Sequence, residues 1–290
     1  MIKRIFLIII IMFFAGCSST AISVVDAESF ENVTLETSAQ SDFYLEVAEQ
    51  KYNDYSYIHK FGRNDDIDST SGFEAIWNGG GDYTGFPEES ETLEIRSTDG
   101  DDTYGGAGAW TVTVKGLLNS TFHAQPDVTV NLSGTSWVTI DSNLYHRASR
   151  LSVIKAGSSD AVNEGDLILR QTTTTANVMA RVPAGYGQTM IAATTIPAGE
   201  KAFLNSWYAS MGNKERGVAT IRLLMRAPEQ AWQVKEEFSI LADGSSYVLR
   251  QYKVPKNNIE PGTDIKVMAD SNTNNLGVAA GMDFILETED

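Results

Sequence analysis

Cysteine is almost missing from this chain. Cys17 stands alone among 290 residues, so no internal disulfide can form. Beyond it there is no thiol, which excludes a cysteine nucleophile and a cysteine-based zinc site in the body of the chain. Basic residues are scarce as well. Lys and Arg number 22 against 38 Asp and Glu, a formal charge of −16. A field of that sign repels a phosphate backbone, so nucleic acid is not an expected partner, with Arg147 to Arg150 as the one local basic strip. Histidine is equally thin. His59, His123 and His146 lie far apart and in no metal-ligand spacing, so they read as isolated surface or core side chains. There is no Gly-x-Ser-x-Gly elbow, no GxxxxGK[ST] loop and no βαβ alternation. No cofactor is expected, and the reading is of a non-enzyme. No segment repeats at a fixed period, which argues against a solenoid or propeller.

The one long apolar run stands at the start. Met1 to Phe14 reads MIKRIFLIIIIMFF, with Lys3 and Arg4 as a positive n-region. The apolar stretch, about ten residues, suits a signal peptide better than a membrane span. Ala15-Gly16-Cys17 follows in the manner of a bacterial lipobox, although Phe14 stands where Leu is usual. The expectation is a signal peptide over residues 1–16, lipid attachment at Cys17 and a polar, flexible tether over 17–41. The plainer alternative is an uncleaved anchor or a secretory signal with a coincidental cysteine. Acyl chains on Cys17 would make a membrane a partner, since each buried CH₂ contributes about 0.8 kcal/mol.

What is plentiful points to β structure. Hydrophobic residues make up 42% and aromatics 10%, the balance of a globular protein, with 24 Gly for turns. Residues 42–90 read as an irregular docking segment, with one helical candidate over Asp42 to Tyr57. From Thr92 the pattern alternates: TLEIRS, WTVTVKGL, DVTVNLSG, SWVTID, Tyr145 to Lys155, DLILR and Ala176 to Val182. These predict an antiparallel β-sandwich over 91–183. A second set runs from QTMIAATTIP through KAFLNSWYAS, GVATIRLLMRA, WQVKEEFSIL, SYVLRQYKV and TDIKVMADS to VAAGMDFILE. It predicts an eight-stranded, jelly-roll-like sandwich over 184–290. The fold class is therefore all-β, with two antiparallel sandwich domains behind the leader and the docking segment.

Carboxylates offer the remaining candidates for chemistry. Asn64 to Asp68 carries Asp65, Asp66 and Asp68 as a calcium loop would, but lacks the Gly and distal Glu of an EF-hand. It is a weak candidate for another kind of calcium site. Glu88, Glu89 and Glu91 have no evident partner for glycosidase chemistry. Trp110, Trp137, Trp207 and Trp232 can stack on sugars, but their place in alternating strands marks them first as core.

Several phrases resemble a known family. They are FYLEVAEQKYNDYSYIHKFGRNDDID (43–68), FEAIWNGGGDY (73–83), AWTVTVKGL (109–117), AGYGQTMIAATTIPAGEKAFLNSWYAS (184–210) and TDIKV…AAGMDFILE (263–287). Their wording and order resemble uncharacterised virion structural proteins of tailed, often marine, bacteriophages. The resemblance implies a non-enzymatic, oligomeric particle component that meets other virion proteins, as head decoration, neck or tail. It also suggests Phe43, Tyr44, Phe61, Trp77 and Tyr83 as docking anchors, in the manner of interface hot spots. The plainer role for the same side chains is to cap the first sandwich. Family members begin near the FYLEVA phrase and carry no lipoprotein leader, so this chain departs from them at its front.

Two readings of function compete. One is a phage virion protein, or a prophage-derived copy exported as a lipoprotein, located in the virion. The other is a membrane-anchored surface lipoprotein whose sandwiches bind glycan or another ligand.

Overall fold

Aromatic and aliphatic residues alternate with polar ones through most of the chain, and alternation of that period makes strands. The computed structural model describes residues 43–158, 162–212, 217–242 and 245–289. Cys17, the expected signal peptide and the expected tether lie outside the described residues. In chain order the elements are α1 (Phe43–Ala48), β1 (Tyr55–Ile67), β2 (Glu74–Ala75), β3 (Leu93–Ser97), β4 (Ala109–Leu118), β5 (His123–Ala124) and β6 (Val128–Asn131). Then come β7 (Val138–Thr139), β8 (Tyr145–Ala156), β9 (Leu167–Gln171), β10 (Val178–Val182), β11 (Ala193–Thr195) and β12 (Glu200–Gly212). The last are β13 (Gly217–Arg226), β14 (Gln233–Ala242), β15 (Ser245–Ile259), β16 (Asp264–Ser271) and β17 (Leu276–Thr288). The described residues are all-β apart from α1, and every strand pairing among them is antiparallel.

Two sheets enclose the first core. One has the order β1-β17-β12-β15 and the other β11-β16-β13-β14, with β2 added beside β16. Counted along the chain, β1 is the first strand of this sandwich and β11 to β17 are the second to eighth. The sheets then read first–eighth–third–sixth and second–seventh–fourth–fifth, which is the strand order of a jelly roll. Trp207, Phe284, Met282, Ile221, Leu223 and Val267 fill the space between them. Each such large side chain, fully buried, contributes about 1.5–3 kcal/mol.

The remaining strands form a second sandwich, inserted in the chain after the first strand of the jelly roll. Its sheets are β10-β9-β3-β7 and β5-β4-β6 with β8 on the other side of β4. Tyr145, Leu93, Ile95, Leu151, Leu169 and Met179 lie at its centre.

This arrangement redraws the boundaries expected from sequence. Within the expected docking segment the short helix is present and residues 68–90 are irregular apart from β2, but residues 55–67 are a long strand. The helix stops at Ala48, and Tyr55–Ile67 becomes the strand that pairs with the C-terminal β17, from Tyr55 opposite Glu287 to Ile67 opposite Leu276. The jelly roll is therefore discontinuous, and residues 184–290 alone lack its first strand. Gly62 marks a close approach within it. A Cβ there would lie 2.1 Å from the Ile76 carbonyl oxygen and 2.3 Å from the Ala192 nitrogen, so only Gly lets β1 cross that main chain.

Candidate functional site

The outer face of the β1-β17-β12-β15 sheet carries aromatic and polar side chains in register. Phe61, Gly281, Tyr208 and Leu249 form one row across the four strands, and His59, Asp283 and Ser206 form the next. The ring of Tyr208 lies flat over Gly281, where a Cβ would fall 2.5 Å from it. His59 stacks between Phe61 at 5.6 Å and Tyr208 at 6.4 Å. Tyr57, Tyr247 and Leu249 are exposed on the same sheet. A pairing irregularity between Leu204 and Ser206 sets Asn205 out of line, and Tyr44 of α1 donates its hydroxyl to that Asn205 side chain at 3.0 Å.

Asp283 is the polar hub of this face. Tyr57 donates its hydroxyl at 2.6 Å, His59 Nδ1 meets the same oxygen at 2.6 Å, and Ser206 donates to the other oxygen. Burial pulls the Asp283 carboxyl upward, but the bonds from Ser206, Tyr57 and His59 outweigh it and hold the group below the usual carboxylate range. Burial, and then the bond to Asp283, push the Tyr57 phenol up. The trio of Ser206, His59 and Asp283 is not wired as a nucleophile. The serine hydroxyl donates to the carboxylate, whereas a triad needs it on the imidazole.

The five expected anchors divide. Phe43 and Tyr44 are exposed on α1, where Phe43 meets Tyr44, Tyr52 and Tyr55 edge-on or tilted at 5.4–5.8 Å. Phe61 is half-buried on the sheet face. Trp77 and Tyr83 instead belong to the core of the inserted sandwich, with the Tyr83 hydroxyl donating to the Met179 carbonyl at 2.9 Å. The calcium candidates do not converge. Asp65 pairs with Arg63 at 2.6 Å, while Asp68 accepts the Asn275 amide at 3.0 Å. Among the described residues no cluster of three His, Cys, Asp or Glu is placed to hold a metal. Of the four tryptophans considered for sugar stacking, Trp207 is core, and the Trp137 ring carries Arg96 at 4.7 Å and Arg170 at 3.6 Å.

The two sandwiches meet at two polar joints, and the Arg147-to-Arg150 strip on β8 supplies one arginine to each. At the first, Arg147 grips Asp264 of the jelly roll with two bonds of 2.9 Å. Arg226 adds a third at 2.6 Å and Thr195 a fourth at 2.5 Å. The guanidinium of Arg147 lies between the rings of Phe86 and Phe122, each 5.3 Å away. A cleft of about 480 Å³ opens beside it, lined by Glu88, Phe122, His146, Arg147, Arg226 and Asp264 among others. Burial, then the charge of Arg147, lower His146 to about 4.

The second joint is a reciprocal clasp on the free edge of β1. Lys60 donates to the carbonyl of Ser149, and Arg150 donates to the carbonyl of His59 at 3.0 Å. Arg150 also reaches Gln188 at 3.2 Å. Lys60 is only 5% exposed, and burial, then the charge of Arg150, bring it down to about 7. A groove of about 390 Å³ runs along this clasp, with Tyr57, His59, Lys60, Lys115, Ser149 and Arg150 in its walls. Sequence reasoning passed over Lys60, Arg150 and Asp283 as site residues. The basic strip was the one visible signal, and it showed neither that Arg147 and Arg150 part company nor that Lys60 joins the second.

No family model matches the chain, and no curated protein matches it. Among solved structures, Broad Bean Stain Virus is similar at 10% identity over 70% of this chain and 87% of that chain, with a TM-score of 0.22. The Cowpea mosaic virus top component is similar at 10% identity, covering 68% of this chain and 82% of that one, with a TM-score of 0.21. Infectious bursal disease virus, Gx strain, is similar at 9% identity over 81% and 72%, with a TM-score of 0.25. At these TM-scores the likeness is slight and bears on neither fold nor function.

Proposed function

We propose that the chain is a non-enzymatic structural subunit of a virion, of the kind made by tailed bacteriophages, or a prophage-derived copy of one. The observation that carries this reading is the discontinuous jelly roll. Two of the five phrases that resemble the phage family lie almost 200 residues apart, at 43–68 and 263–287, and they hold its paired first and last strands. Wording shared by two strands that pair across so long a stretch of chain is what a common scaffold requires. Jelly rolls also build capsids, although a fold by itself does not assign a function. The aromatic sheet face, with Phe61, Tyr57, Tyr208 and Tyr247, suits contact with other virion proteins or further copies of this chain.

Mass spectrometry of purified particles tests the proposal. The protein is expected in stoichiometric amounts, and its absence from particles overturns the reading. The leader makes a separate claim. With lipid on Cys17, Cys17→Ser moves the protein out of the membrane fraction; an unchanged distribution rejects lipid anchoring. The groove at the second joint favours one alternative, a surface lipoprotein that binds an acidic ligand, and a glycan array is its first test.

A further inference from the structure

We propose that the groove along the β1–β8 clasp is a binding site for an oxyanion, a carboxylate, sulfate or phosphate group, received by Lys60 and Arg150. The site does not depend on the virion reading and stands whether or not the protein is found in particles.

The charge pattern is the first argument. Carboxylates outnumber cations in this chain, 38 to 22, yet Lys60 and Arg150 lie together with only neutral acceptors. Among the described residues neither forms an ion pair. The nearby acids are engaged elsewhere. Asp283 holds His59, Tyr57 and Ser206, and Asp127 pairs with Lys115 at 3.1 Å. At the other joint a buried arginine has its carboxylate, Asp264, inside the fold. A buried ammonium beside a half-buried guanidinium, without a counterion, raises the free energy of the fold, and an anion bound between them offsets that cost.

Geometry is the second argument. A lysine ammonium has three donors and Lys60 spends one on Ser149. The guanidinium of Arg150 is a planar fork suited to an oxyanion, and its shown acceptors are neutral and take one nitrogen each. Both line a groove of about 390 Å³ that holds a small oxyanion with room for more of its carrier. Lys115 and His59 line the same groove, and Tyr57 offers a ring at its wall. The charged and titratable groups that share the groove with Lys60 are thus His59, Tyr57, Lys115 and Arg150, with Asp283 behind His59. The bland function of the clasp, covering the free edge of β1, is served by the two carbonyl contacts and needs no charge; Gln at either position would do it.

The test uses the full chain and four probes: sodium sulfate, phosphate, acetate and glucuronate. Each is compared with chloride at equal ionic strength near pH 6, where lysine is charged. Thermal unfolding is expected to show a rise in Tm of a few degrees with saturating anion. Lys60→Met should abolish the rise and Lys60→Arg should keep it, while both remain folded without anion. A Tm no higher than in chloride, or the same rise in Lys60→Met, overturns the proposal. An NMR titration of the Lys60 side chain in the unaltered protein provides the readout if Lys60→Met fails to fold. Its midpoint should move up from about 7 on adding anion, and a fixed midpoint rejects the site. Equal responses to acetate and glucuronate identify the bare carboxylate as the ligand group, and a stronger response to glucuronate extends the site to the sugar ring.

Discussion

The two joints between the sandwiches use the same chemistry on one side and different chemistry on the other. Both draw an arginine from β8, three residues apart. Arg147 finds a buried carboxylate that also takes Arg226 and Thr195. Arg150 finds a buried lysine and a pair of carbonyls. The first joint is complete as it stands. The second is held by hydrogen bonds but carries charge with nothing to answer it. A fold keeps a buried ammonium beside a half-buried guanidinium at a cost to stability, so the contrast separates a joint made for cohesion from one with a further use.

The largest effect should come from breaking the complete joint. Asp264→Asn removes the carboxylate and leaves Arg147, whose side chain is 7% exposed, buried beside Arg226. Removing one partner of a buried pair costs about 3–5 kcal/mol. Urea unfolding should report that loss as a lower midpoint at constant slope. A loss below about 1 kcal/mol would mean that water already screens the joint, and the contrast with Lys60 would collapse.

The second joint should respond to pH instead. Lys60 titrates near 7 in the fold, against an ordinary value of 10.5. Between these values the unfolded chain holds the proton and the folded chain does not, so stability rises with pH across that window. The penalty is present in full below 7 and is relieved by 10.5. The bound from linkage is about 5 kcal/mol, and dielectric relaxation around the ammonium brings the expected gradient nearer 2 kcal/mol. In Lys60→Met this gradient should vanish, as read from urea midpoints between pH 7 and pH 10.5. An unchanged gradient would mean that Lys60 keeps its proton in the fold, and the joint is then wetter than its burial implies.

Most strands were legible in the sequence, and the reason is local. WTVTVKGL and DLILR alternate because one side of each faces a core, and the structure has β4 and β9 there. β1 was not legible, because its inward positions break the pattern. Lys60, Gly62 and Asn64 point inward where apolar residues are usual, since they meet the inserted sandwich and main chain rather than the core. Its aromatic residues face out, so the stretch reads as part of a docking segment with Phe61 as an anchor. The partner of β1 lies more than 200 residues away, and no local period encodes that pairing. The same distance hid the site. His59–Lys60 and Ser149–Arg150 are unremarkable apart, and only the fold sets them against each other. That Trp77 and Tyr83 would lie in the core of the inserted sandwich was hidden for a related cause: composition says that an aromatic must be covered, but not by what.

The smallest expected effect tests whether the first joint is as dry as Asp264 makes it look. His146 sits against Phe122 at 5.1 Å, with Ser90 Oγ 2.9 Å from Nδ1. Its pKa of about 4 lies below the ordinary 6.5, so in that interval the unfolded chain takes up a proton that the folded chain refuses. Stability contributed by the neutral ring is present above 6.5 and is lost as pH falls toward 4. His146→Gln keeps a polar group for Ser90 and removes the titration, so the acid limb of the stability curve should flatten by about 1–2 kcal/mol. This window does not overlap the one governed by Lys60, which lets each joint be read without the other. If the acid limb is unchanged, the imidazole accepts its proton in the folded state. Water from the cleft then reaches the ring, and the first joint is drier at Asp264 than at its rim.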